Sequence, residues 1–281
     1  MTTTAAEVRT DTVHANGIDI HYVETGEGPP LVLLHGGFVS TSPMWDSAPV
    51  AYQQHLATLA EHFRVIAPDT RGSGLTRHDG RPMSMNLLAD DVAALIETLN
   101  LGRPAVCGFS EGGMTATILA LTNPGLISAV VNDAGFDTFD PEAPVFDQLR
   151  TIFGGGPEAT EADPDAAAAW HEQMGVGHVF DLMRADQDAA QGEGHWRTYL
   201  HLFFERASHF PGYTFADFGR IEVPTLVMVG DRDMFCSVED AVLAYRRLPA
   251  GELAVVPATD HEITTAKVAA LIEFLERARR Q

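Results

Sequence analysis

Five consecutive residues carry the strongest chemical signal in this chain: Gly108-Phe109-Ser110-Glu111-Gly112. A short apolar run at 105–108 leads into them and a helical pattern follows at once, which sets the serine on a turn between a strand and a helix. A turn that tight strains its central residue and lifts the side chain clear of the sheet. Glycine on both flanks lets the backbone fold back without Cβ clashes. The Ser110 hydroxyl then stands at the amino end of a helix, where free N–H groups favour developing negative charge. Such a serine can attack a carbonyl carbon, but near neutral pH it needs a base to take its proton.

Among 12 histidines, His261 is marked out by its position. It follows the apolar run 252–256 after a short loop, and a closing helical pattern begins just beyond it, so it falls on the same rim of a sheet as Ser110. The carboxylate that would orient it is expected after the penultimate strand, where Gly230-Asp231-Arg232-Asp233 offers two candidates. Asp133, behind the run 126–131, is a third. The chain order Ser110, Asp233, His261 favours Asp233, while Asp231 more naturally ties down its own turn. Holding the imidazole in the right tautomer is worth on the order of 10⁴ in turnover in serine proteases.

The elements that must position these groups read as alternating short apolar runs and helical periodicity, the pattern of a parallel sheet flanked by helices. Strands are expected at 18–23, 31–34, 63–67, 105–108, 126–131, 225–229 and 252–256. The first of these follows the Asn16-Gly17 turn and reads as antiparallel. Helices are expected at 87–99, after Ser110 as far as Asn123-Pro124, and at 268–279. From 137 to 210 the sheet rhythm stops and the chain turns helical and acidic, with 4 basic against 14 acidic side chains. This stretch reads as a helical cap inserted into a core made of 1–136 and 211–281, lying over the carboxyl ends of the strands, where open α/β sheets bind ligands.

Composition narrows the functional classes. The 281 residues carry 18 Lys and Arg against 39 Asp and Glu, a net charge of −21, which opposes nucleic-acid and anionic-membrane partners. A chain of this length buries about 75% of its unfolded surface without needing disulfide or metal staples. The opening residues 1–12 contain no secretory apolar run, no stretch approaches the ~20 residues of a membrane span, and Cys107 and Cys236 read as free thiols. A cytoplasmic location is the expectation. No metal-ligand spacing, phosphate cradle or cofactor signature is present, so a cofactor-free enzyme is expected.

These motifs together resemble the α/β-hydrolase superfamily, in particular cap-bearing small bacterial esterases and meta-cleavage hydrolases, over nearly the whole chain. The resemblance rests on His35-Gly36-Gly37, Asp69-Thr-Arg71-Gly-Ser-Gly74, Gly108-Phe-Ser110-Glu-Gly112, Gly230-Asp-Arg-Asp233 and His261. It implies Ser110 as nucleophile, Asp233 as acid, His261 as base, and the amides of Gly37 and Glu111 as oxyanion-hole donors. Two departures stand out. Asp260 precedes His261 where the family usually has glycine, and the stretch 38–62 is longer than the usual loop and helix. Serine as nucleophile disfavours haloalkane dehalogenase or epoxide hydrolase chemistry, which in these relatives uses aspartate.

Substrate identity is less legible. The Glu111 carboxylate beside the reacting centre either stabilises its helix terminus or captures a cationic substrate group. Trp170, Trp196, Tyr199, Phe203 and Phe204 either line an apolar pocket or hold the cap to the body, and Phe38 and Trp196 are the candidate substrate contacts. The expectation is a serine hydrolase acting on a small-molecule carboxylic ester. Lactone, amide and C–C bond hydrolysis are alternatives on the same machinery, and a non-catalytic ligand receptor is a distant one.

Overall fold

The computed structural model describes residues 7–280. Residues 1–6, half of the stretch in which no secretory run was expected, lie outside it. Strands β1 (Arg9–Ala15) and β2 (Ile18–Thr25) form a hairpin in which Ala15 faces Ile18. Asn16 and Gly17 both take positive φ there, as a two-residue hairpin turn requires. The remaining strands are β3 (Pro30–Leu34), β4 (Arg64–Pro68), β5 (Ala105–Phe109), β6 (Ala129–Asp133), β7 (Thr225–Gly230) and β8 (Gly251–Val256). They lie in the order β1-β2-β4-β3-β5-β6-β7-β8, antiparallel across β1, β2 and β4 and parallel from β4 to β8. The doubly covered central strands are buried along their length: every residue of β6 and β7 is buried, the polar Asn132, Asp133 and Thr225 among them.

Helix α1 (Leu56–Ala60) precedes β4, and α2 (Met85–Thr98) follows it, capped by the Ser84 hydroxyl accepting from the Leu87 amide at 3.1 Å. Helix α3 (Glu111–Thr122) leaves β5 directly through Ser110. Four helices separate β6 from β7: α4 (Val145–Gly154), α5 (Pro164–Gln173), α6 (Gly177–Gln191) and α7 (His195–Ala207). After β7, α8 (Val238–Arg247) leads to β8 and α9 (Thr265–Ala278) closes the described chain. No helix among the described residues is long and apolar enough to cross a membrane.

The four inserted helices have their own hydrophobic cluster, and the loop after β3 contributes Phe38, Val39 and Trp45 to it. Polar contacts join helices and loops. Asp186 on α6 accepts from Ser40 Oγ at 2.6 Å and Trp45 Nε1 at 3.0 Å, and Gln191 Nε2 donates to the Gly74 carbonyl at 2.9 Å. The α7 side chains Phe203 and Leu202 press on Gly37 and Gly72, so this layer rests on the loops that leave β3 and β4.

Beneath the rim, Lys267 of α9 and Asp133 at the end of β6 form an ion pair, 2.7 Å apart and fully buried. Burial raises the Asp133 pKa, and the Lys267 charge and hydrogen bond counter it. Removing one partner of a buried pair strands the other charge. Lys267→Met should therefore cost about 3 kcal/mol or more, and Lys267→Met with Asp133→Asn much less. Chemical denaturation of the three proteins checks this; equal losses in the single and double variants would contradict it.

Candidate active site

Ser110 sits at φ 53°, ψ −119°, a backbone conformation that costs a non-glycine residue on the order of 1–3 kcal/mol. The strain is held by packing. A Cβ on Gly108 would overlap the Gly112 carbonyl, and one on Gly112 would lie 2.5 Å from the Leu34 carbonyl oxygen. Strand end, turn and helix start therefore touch backbone to backbone, which only glycine allows at these two positions. The Ser110 amide donates to the Asp133 carbonyl at 2.7 Å, tying the turn to β6.

His261 lies on the loop between β8 and α9, as expected. Its ring packs on Phe109, the residue before the serine, at 4.7 Å between centroids, and on Phe235 at 4.9 Å. Its Nδ1 faces both carboxylate oxygens of Asp233, at 3.0 and 2.9 Å. The same Asp233 Oδ1 accepts from the amides of Phe235 and Cys236, each at 3.0 Å. Burial opposes ionisation of Asp233, yet the hydrogen bond and charge of His261 and these two amides hold its carboxyl below the usual range.

The other carboxylates are accounted for elsewhere. Asp133 is held by Lys267, Asp231 accepts from the Thr259 amide at 3.2 Å, and the exposed Asp260 accepts from the His261 amide at 2.8 Å. Neither Ser110 Oγ nor His261 Nε2 hydrogen-bonds to any described residue, leaving the nucleophile–base contact unmade in this conformation. Such contacts commonly tighten only when substrate binds.

Gly37 follows His35-Gly36, and this loop packs on the serine turn: a Cβ on Gly36 would stand 3.1 Å from the Phe109 ring. The Gly37 and Glu111 amides donate to no protein acceptor among the described residues, whereas the neighbouring Phe38 amide is taken by Tyr199 Oη at 2.7 Å.

Of the two readings left open for Glu111, the structure disfavours capture of a cationic substrate group. Its carboxylate is buried and doubly paired with Arg206 of α7, through Nε at 2.6 Å and Nη2 at 3.1 Å. Phe38 is buried among Phe153, Phe180 and Phe203 at φ 74°. Trp196 is buried in the hydrophobic cluster of the inserted helices. It packs on Phe180 with the guanidinium groups of Arg184 and Arg197 over its ring at 4.8 and 4.3 Å. A cavity of about 430 Å³ lies at the opposite ends of the strands, between Arg103, Ser128 and Pro224, away from these groups.

Arg206, Lys267 and Asp137 escaped sequence reading. A basic residue in register with Tyr199 and Phe203, at i+7 and i+3, was the available signal for Arg206. Asp137, beyond β6, has its carboxyl pushed up to about 6 by burial, against the pull of His261 and Cys236 and with the Asp233 charge adding to the rise. An ordinary Asp titrates near ~3.9, so the folded state binds the extra proton and loses stability as pH rises through about 6. Asp137→Asn should raise the melting temperature by a few degrees at pH 8 and leave it unchanged at pH 4. A pH-independent difference in calorimetry would contradict this.

A model of the α/β hydrolase fold matches residues 29–264 of the chain. The chain belongs to the α/β-hydrolase family. This α/β-hydrolase is 29% identical to a non-heme haloperoxidase of Rhodococcus erythropolis, the match covering 93% of this chain and 97% of that protein. It is 25% identical to 3-oxoadipate enol-lactonase 2 of Acinetobacter baylyi, covering 89% of each. Among solved structures it resembles a meta-cleavage product hydrolase from Pseudomonas fluorescens IP01, with a TM-score of 0.74 and 18% identity over 95% of this chain and 98% of that one.

Proposed function

We propose that this α/β-hydrolase is a cofactor-free serine hydrolase that cleaves a small-molecule carboxylic ester through an acyl-enzyme on Ser110. The observation that carries the reading is His261 Nδ1 clasped by both oxygens of Asp233, on the rim where the strained Ser110 stands. With Nδ1 bearing the proton, Nε2 presents a lone pair to Ser110 Oγ. The hydroxyl oxygen attacks the ester carbonyl carbon as its proton passes to Nε2. Asp233 stabilises the imidazolium that results. The amides of Gly37 and Glu111, uncommitted to protein acceptors, bind the tetrahedral oxyanion, each worth roughly 10²–10³ in rate. Collapse breaks the bond to the alcohol, which leaves with the Nε2 proton. Water, deprotonated by His261, then releases the acid and restores Ser110.

The inserted helices act as a cap in this reading, because α7 touches the loops after β3 and β4 and the first residue of α3. The cap and the acidic surface suit a small uncharged or cationic substrate rather than nucleic acid or membrane. A lactone, which is a cyclic ester, is the second reading, and the enol-lactonase relative of matching length favours it. A p-nitrophenyl ester series from acetyl to decanoyl, alongside enol-lactones, separates the two. Turnover of acyclic esters with a chain-length optimum supports the first, turnover of lactones alone the second, and turnover of neither overturns both.

A further inference from the structure

One face of α7 reaches both residues assigned to the oxyanion hole, Gly37 and Glu111. Tyr199, Phe203 and Arg206 lie at i, i+4 and i+7, so they share that face. Arg206 grips the Glu111 carboxylate with two of its nitrogens, at 2.6 and 3.1 Å, and its Nη2 also donates to Tyr199 Oη at 3.4 Å. Tyr199 Oη accepts from the Phe38 amide at 2.7 Å. Phe203 lies on Gly37 so closely that a Cβ there would overlap its ring, and the Arg206 guanidinium stands 5.2 Å from the same ring. The helix thus bridges the loop after β3 and the first residue of α3 through side chains that are all buried.

We propose that Arg206 and Tyr199 are positioning residues that fix the Gly37 and Glu111 amides at the spacing of the tetrahedral oxyanion. The proposal rests on the serine-hydrolase reading. A planar guanidinium paired bidentately allows its carboxylate little rotation, so the first residue of α3 is held by its side chain as well as its backbone. On the other side, Phe38 is an aromatic residue at positive φ, an unfavourable conformation unless its surroundings impose it. The Tyr199 bond consumes the Phe38 N–H and orients the peptide joining it to Gly37. The adjacent Gly37 N–H donates to no acceptor among the described residues. Oxyanion donors act on charge that develops only in the transition state, so misplacing them lowers kcat while substrate binding stays.

Arg206→Met alone leaves Glu111 as an uncompensated buried charge and can unfold the protein. The informative variants are therefore Arg206→Lys, Tyr199→Phe, and Glu111→Gln with Arg206→Met, which removes both charges at similar volume. The measurements are kcat and KM on the best p-nitrophenyl ester, inhibition by phenylboronic acid, whose serine adduct is tetrahedral, and melting temperature as the folding control. The paired variant should lose about 30-fold in kcat with KM within about twofold, Tyr199→Phe about tenfold, and Arg206→Lys should lie between the paired variant and the parent. Boronate affinity should fall in step with kcat. Folded variants with parental kcat, or with raised KM at constant kcat, would overturn the clamp alone. A parent without Ser110-dependent turnover would overturn the serine-hydrolase reading and the clamp with it.

Discussion

Ser110→Ala should lower kcat on a reactive ester by roughly 10⁶-fold, to the residual rate that oxyanion donors and binding sustain without a nucleophile. The effect is this large because no other hydroxyl occupies the turn between β5 and α3, and the backbone there is built to present one side chain. Stability should hardly change, since Ser110 Oγ makes no hydrogen bond to any described residue and alanine meets the same backbone. Steady-state hydrolysis of p-nitrophenyl acetate with the substituted protein is the check. A variant retaining a tenth of parental turnover would mean that the chemistry runs elsewhere.

Asp233→Asn should cost about 10⁴ in kcat while leaving KM nearly as it was. In the parent, both carboxylate oxygens face His261 Nδ1, so that nitrogen carries the proton and Nε2 is the base in the proposed mechanism. An asparagine can keep its oxygen on the Phe235 and Cys236 amides, where Oδ1 is already bound. Its NH₂ then meets Nδ1 and selects the tautomer with Nε2 protonated, which cannot accept the serine proton. Asp133 offers no substitute, because Lys267 holds it inside the sheet. The same contacts set an acid limit. The Asp233 carboxyl is depressed, so its stabilising interaction with His261 is complete above ~3.9 and disappears only as pH falls through a lower folded value. Activity profiles of the two proteins from pH 4 to 9 test the substitution. A variant that matches the parent at high pH would show the carboxylate to be dispensable.

The buried frame was readable because burial on both faces makes the central strands largely apolar, and β3, β5, β7 and β8 fall within about a residue of expectation. Strand β6 begins three residues later than expected, at Ala129, because Leu126 and Ile127 are core contacts of the preceding loop. Strand β1 left no such trace: Arg9–Ala15 is an edge strand, mostly exposed and polar, and only its pairing with β2 defines it. Ser110 and His261 were legible because local turn chemistry and chain order specify them. Chain order favoured Asp233 over Asp133, but that Asp133 is held by a buried lysine 134 positions further on, and Glu111 by Arg206 95 positions away, was visible only in the structure. Charges that pair across the fold carry no local pattern, which is why the sequence left Glu111 open between stabilising its helix terminus and binding a cationic group, whereas its carboxylate is a buried partner of α7.

The most direct test is to mix the protein with an excess of p-nitrophenyl butyrate, quench in acid within milliseconds, and map the adduct by mass spectrometry. A butyryl group on the peptide carrying Ser110, absent from Ser110→Ala and accumulating in Asp233→Asn only at a greatly reduced rate, is the expected result. Release of p-nitrophenol at the parental rate with no acyl group on Ser110 would contradict the nucleophile assignment on which the mechanism stands.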